Sequence, residues 1–139
     1  MKRIERGWAG HFCMGVECNW RRNTLIEDDK GRYIVVSSVG AFPVRDEKGY
    51  RTKFQEIGFK RYYETMIFVG HEDGIFIEAD VNKKRYIEGM DWFVSREPDG
   101  KTDLEAEEIH EKNVQYVMEH FDDVYTDEDR KDENLNTTT

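Results

Sequence analysis

The chain has 139 residues, 37% of them apolar and 37% charged, which is material for one domain and little more. No run nears the ~18 uninterrupted apolar residues of a membrane helix. Met1 to Arg6 is charged and leads into Gly7-Trp8 instead of a signal-peptide core, so a soluble, cytoplasmic protein without membrane contact is expected. The net charge of −9 argues against direct binding to nucleic-acid backbone, whose affinity comes from Lys and Arg replacing condensed counterions.

The charge is unevenly spread. Residues 1–25 set Lys2, Arg3, Arg6, Arg21 and Arg22 against Glu5 and Glu17, whereas the segment from Asp122 onward sets seven acids against Arg130 and Lys131. Trp8 to Met14 and Cys18 to Ile26 read as extended, followed by the turn Asp28-Asp29-Lys30-Gly31. Tyr33 to Val39 is the best strand by propensity and reads as central, buried on both faces. The turn Asp46 to Gly49 leads into a weaker strand, Tyr50 to Ile57; Arg61 to Val69 is strong, and His71 to Gly74 turns the chain into Ile75 to Ala79. Arg85 to Ile87 and Trp92 to Val94 add a short strand or half a helical turn. The connections are too short for helical crossovers, so the sheet should be mostly antiparallel.

Thr102-Asp103-Leu104-Glu105 has the form of a capping box, and Ala106, His110, Val114, Val117 and Phe121 then recur at helical spacing, flanked by Ile109 and Met118. The expected fold class is α+β: a curved, mostly antiparallel sheet of about five to seven strands packed against one C-terminal helix. Residues 1–121 form the single domain, and residues 122–139 read as an acidic disordered tail, with too few apolar groups to offset ordering entropy.

Among residues that carry chemistry, His11, Cys13 and Cys18 make H-x-C-x4-C, one ligand short of a closed zinc site and at no zinc spacing; no metal or cofactor is expected. In a reducing compartment the two cysteines read as small buried hydrophobes. The densest polar cluster is Asn19-Trp20-Arg21-Arg22-Asn23-Thr24. If extended, it points Arg21 and Asn23 to one face and Trp20, Arg22, Thr24 and Ile26 to the other. A guanidinium directed at a core needs an acid or a bound anion. Glu64 shares an apolar strand face with Met66 and Phe68, so an Arg22–Glu64 pair is expected. Beyond a structural ion pair, Arg21 or Arg22 with Arg61 and Asn23 suits phosphate or carboxylate, while Trp8, Trp20, Tyr62 and Tyr63 suit stacking on a ring. His11 lies beside a Gly7 to Gly10 run and is either a buried histidine bonded to backbone or a general base with Glu64 as its acid/base partner. Ser37-Ser38 read as ladder-satisfied. No Walker motif, H-E-x-x-H or G-x-S-x-G occurs.

The segments Arg6-Gly7-Trp8-Ala9-Gly10-His11-Phe12, Arg21-Arg22-Asn23-Thr24-Leu25 and Arg61-Tyr62-Tyr63-Glu64-Thr65-Met66 resemble a group of small phage, prophage and bacterial proteins without a settled activity, over about Arg6 to Glu111. The resemblance carries no catalytic role; it implies an accessory factor such as an inhibitor of host defence, acting in the host cytoplasm. The leading expectation is a binding protein for a small anionic, nucleotide-like ligand in an Arg/aromatic pocket. The alternatives are a small enzyme with His11 and Glu64 as acid/base on a phosphate- or carboxylate-containing substrate, and an inhibitor of a host protein that mimics nucleic acid with its acidic surface. An open sheet edge makes a homodimer plausible.

Overall fold

The computed structural model describes residues 1–8, 11, 18 and 20–130. It is an α+β fold with antiparallel pairing throughout. Six strands form the main sheet: β1 (Lys2–Arg6), β2 (Arg21–Glu27), β3 (Tyr33–Gly40), β6 (Tyr63–Glu72) and β7 (Ile77–Arg85) in that order, with β8 (Phe93–Val94) also paired to β6. β4 (Phe42–Arg45) and β5 (Arg51–Gln55) form a separate two-stranded sheet, where one continuous sheet was expected. At its turn the Asp46 carboxylate accepts from the backbone N–H groups of Lys48 and Tyr50, and Gly49 adopts φ +84°, a value that favours glycine.

β3 is central because its β-branched residues are buried on both faces: every residue from Ile34 to Gly40 is buried between β2 and β6. β1 was not anticipated. Its charged residues suit an edge strand, and it is fixed by pairing with β2 and by Arg3, whose guanidinium holds Glu111 at 2.8 Å. At the other edge β6 and β7 pair across a register shift between Phe68 and Gly70.

The helix α1 (Gly100–Glu119) is capped three residues before the expected cap at Thr102. Asp99 is the N-cap, accepting from Thr102 N at 2.8 Å, while the Thr102 hydroxyl accepts from Asp99 N at 2.6 Å. Thr102 thus takes the reciprocating role in the box, and the carboxylate takes the cap. The expected stripe is buried: Val114 and Val117, then Phe121 and Val124 of α2 (Phe121–Val124), pack with Tyr125 on Ile26, Ile34, Val36, Ile67 and Val69. Tyr63, Val94, Ala106 and Ile109 form a second cluster near the start of α1.

Residues 122–130, expected in the tail, belong to the folded unit. Val124, Tyr125 and Asp129 are all buried, and Asp129 accepts two hydrogen bonds from Arg85 at 2.7 and 2.8 Å and one from Thr126 N. Two apolar residues among acids show no periodicity, so only their contact with the sheet reveals them as core. Residues 131–139 lie outside the described residues. Among those described, no helix is long and apolar enough to cross a membrane.

Candidate functional site

The register sorts the polar residues of the sheet into two faces, since successive side chains point oppositely. Arg22, Thr24, Ser38 and Thr65 face α1; Arg21, Asn23, Ser37 and Glu64 face away. The predicted alternation in the Arg21–Thr24 cluster therefore holds, and it separates the expected Arg22–Glu64 pair. Arg22 instead binds three glutamates, Glu5 at 2.8 Å, Glu111 at 3.0 Å and Glu107, at the rim of the helix face. Hydrogen bonds from Arg3, and then from Arg22, against the opposing effect of burial, hold the Glu111 carboxyl down at about 2. The acids that satisfy Arg22 come from β1 and from α1, and neither source is visible from strand periodicity.

Behind this rim lies a closed chain of hydroxyls. The buried His110 places Nε2 2.7 Å from Thr24 Oγ1 and Nδ1 2.6 Å from Ser38 Oγ, and Ser38 Oγ is 2.6 Å from Thr65 Oγ1. Thr24 donates its proton to Glu5 at 2.7 Å, so it accepts from His110 Nε2–H. Nδ1 is then the acceptor, and Ser38 donates to it. Burial first, and the neighbouring Arg22 second, push the His110 pKa down to about 3, so this imidazole is neutral and structural.

The opposite face carries a second histidine. His11 Nδ1 lies 2.8 Å from Ser37 Oγ, and His11 Nε2 lies 3.5 Å from Glu64 Oε2. The His11 backbone N–H also donates to Ser37 Oγ at 3.1 Å. The hydroxyl, already accepting there, directs its own proton to Nδ1, which leaves the imidazole proton on Nε2, facing the carboxylate. The reverse tautomer would set a lone pair against an anion. Glu64 is fully buried. Burial raises its pKa, but His11 and the Arg61 guanidinium, 2.5 Å away, more than reverse this and hold the carboxyl below its usual value. Arg61 itself lies 5.1 Å from the Trp92 ring. The side chains of Arg61, Glu64, His11 and Ser37 make a continuous run, and in the next strand Asn23 stands opposite Ser37. Asn23 Oδ1 accepts from Arg6 Nε at 2.9 Å, and the Arg6 guanidinium stacks 3.6 Å over Trp8. A polar row with a cation at each end thus crosses one face of the sheet.

Of the expected ligand-binding set, Trp8, Arg21, Asn23 and Arg61 belong to this side of the sheet or its margin. Arg21 bonds the Gly7 carbonyl at 3.5 Å. Arg22 and Tyr63 face α1. Trp20 packs edge-on against Tyr63, whose hydroxyl donates to Asp103, so these two rings serve the second core cluster. Tyr62 lines a separate cavity of about 790 Å³ with Phe54, Ile57 and Phe59 of the β4–β5 region. One pocket holding all eight residues does not form, because strand alternation disperses neighbours in sequence to opposite faces. Cys18 is disulfide-bonded and so is neither the free thiol expected nor a thiolate for zinc or nucleophilic chemistry; Cys13 and Asn19 lie outside the described residues. Among the described residues no three His, Cys, Asp or Glu side chains gather to hold a metal.

Sequence reasoning assigned Ser37 to the strand ladder and gave Arg6 no site role. The signal for Ser37 was present: hydroxyls inside the apolar run Ile34-Val35-Val36-Ser37-Ser38-Val39 need partners on both faces once the strand is central. No protein-family model matches the chain, and no curated protein or solved structure is significantly similar to it.

Proposed function

We propose that this protein is a small acid–base enzyme acting on an anionic small molecule at the His11 face of the main sheet. The observation that carries the reading is His11 set between Ser37 Oγ at 2.8 Å and Glu64 Oε2 at 3.5 Å, one ring nitrogen accepting from the hydroxyl and the other facing the carboxylate. A buried carboxylate behind an imidazole stabilises the imidazolium formed when the other nitrogen takes a proton. Arg61 keeps that carboxylate ionised, and Arg6 sets a second cation at the far end of the row, a charge suited to phosphate or carboxylate. Burying such a row costs stability that apolar residues would not, a cost that function can justify. The test is incubation of the purified protein with a panel of small phosphate and carboxylate metabolites, read by mass spectrometry. Wild type should consume a member of the panel, while His11→Ala and Glu64→Gln should lose turnover with unchanged circular dichroism. No consumption by wild type, or full turnover in His11→Ala, refutes the reading.

Binding without turnover is the second reading, favoured by Arg6. Its Nη2 is buried without a hydrogen bond, while Nε and Nη1 hold Asn23 and the Ile77 carbonyl and the guanidinium lies over Trp8. A donor held this way beside an indole suits a nucleotide-like anion. A ligand that raises the melting temperature through RT ln(1 + [L]/Kd), is recovered intact, and loses its effect in Arg6→Ala supports this reading over the first.

A further inference from the structure

Ser37 and Ser38 are adjacent in β3, and each hydroxyl meets an imidazole Nδ1, His11 on one face at 2.8 Å and His110 on the other at 2.6 Å. In both pairs the bonding pattern sends the serine proton toward the ring. What stands behind the ring differs. His110 Nε2–H points at the Thr24 hydroxyl, and the Arg22 cation opposes any charge on that ring. His11 Nε2–H points at the Glu64 carboxylate, itself fixed by Arg61. Removing the proton of Ser38 would create a buried imidazolium separated from Glu5 by the Thr24 hydroxyl and opposed by Arg22, whereas removing that of Ser37 creates an imidazolium directly beside a buried anion. Hydroxyl, imidazole and carboxylate in that order are the parts of an activated serine.

We propose that Ser37 is a nucleophile, activated by His11 with Glu64 as the orienting acid, for acyl transfer from a small carboxylic ester; the proposal rests on the acid–base reading of the same site. In the first half-reaction the Ser37 proton passes to His11 Nδ1 and Oγ bonds to the carbonyl carbon. The ester C–O bond breaks, and the alcohol leaves with the proton from His11. In the second, water attacks the acyl carbon and gives a proton to His11. The Oγ–C bond breaks, the acid is released, and Ser37 recovers its proton from His11.

The experiment is labelling of the full chain with diisopropyl fluorophosphate, a small probe of serine nucleophiles, followed by peptide mass spectrometry. Because Ser37 and Ser38 lie in the same peptide, fragment ions compare the two serines within one molecule. The expected result is one phosphoryl adduct on Ser37 and none on Ser38, abolished in Ser37→Ala and slowed at least about 100-fold in His11→Ala. The His110 pair serves as the control, so labelling in His110→Gln should match wild type provided its circular dichroism does. No adduct at Ser37, equal labelling of both serines, or undiminished labelling in His11→Ala overturns the proposal. If His11→Ala and Glu64→Gln abolish metabolite turnover but Ser37→Ala and Ser37→Gly retain it, the acid–base reading stands and the nucleophile falls.

Discussion

His110 makes stability depend on pH in a window where few other groups act. In the unfolded chain a histidine titrates near 6.5; in the folded protein His110 is held down to about 3 by burial and by Arg22. Between those values the unfolded state binds a proton that the folded state refuses, so stability falls as the pH falls. The slope is about 1.4 kcal/mol per pH unit, which makes about 3 kcal/mol between pH 6.5 and roughly pH 4.5, and on the order of 5 kcal/mol by pH 3. Glu111 also loses stabilising interactions in acid, but from the ordinary carboxylate range down to about 2, below most of this window. Urea unfolding of wild type and His110→Gln at several pH values isolates the effect. The variant is expected to be less stable at pH 7, since Thr24 and Ser38 lose a two-sided partner, and the gap should close by about 3 kcal/mol on going to pH 4.5. Parallel stability curves for the two proteins would refute the assignment of His110 as a buried neutral imidazole.

Glu64→Gln leaves Arg61 and the His11 edge beside an uncharged amide and is expected to destabilise by about 3 kcal/mol in urea unfolding. A mild variant with unchanged midpoint would show that the carboxylate is dispensable to the fold. At Gly70 an added Cβ lies 2.5 Å from Tyr33 Cβ, so Gly70→Ala is expected to cost about 1–3 kcal/mol through displacement of β3 against β6, seen as a lower melting temperature. Ending the chain after Phe121 removes buried Val124, Tyr125 and Asp129, and the loss should reach about 3 kcal/mol or more, where a disordered tail would cost nothing. Calorimetry of the shortened chain distinguishes the two.

The fold class was legible because its signals are local. A β-branched run with turns on either side announces β3, and apolar residues at helical spacing announce α1, whatever the rest of the chain does. The same alternation rule correctly divided Arg21 and Asn23 from Arg22 and Thr24. It said nothing of which acid each arginine meets, because Glu5, Glu107 and Glu111 reach Arg22 only after β1 pairs with β2 and α1 docks on the sheet. His11 and Glu64 were singled out as residue types, yet their approach, and the role of Ser37 between β2 and β6, follow from strand order and register. Periodicity along one segment fixes which way a side chain points; the partner that satisfies its charge or proton is set by segments far away in sequence, and only tertiary packing brings them within reach.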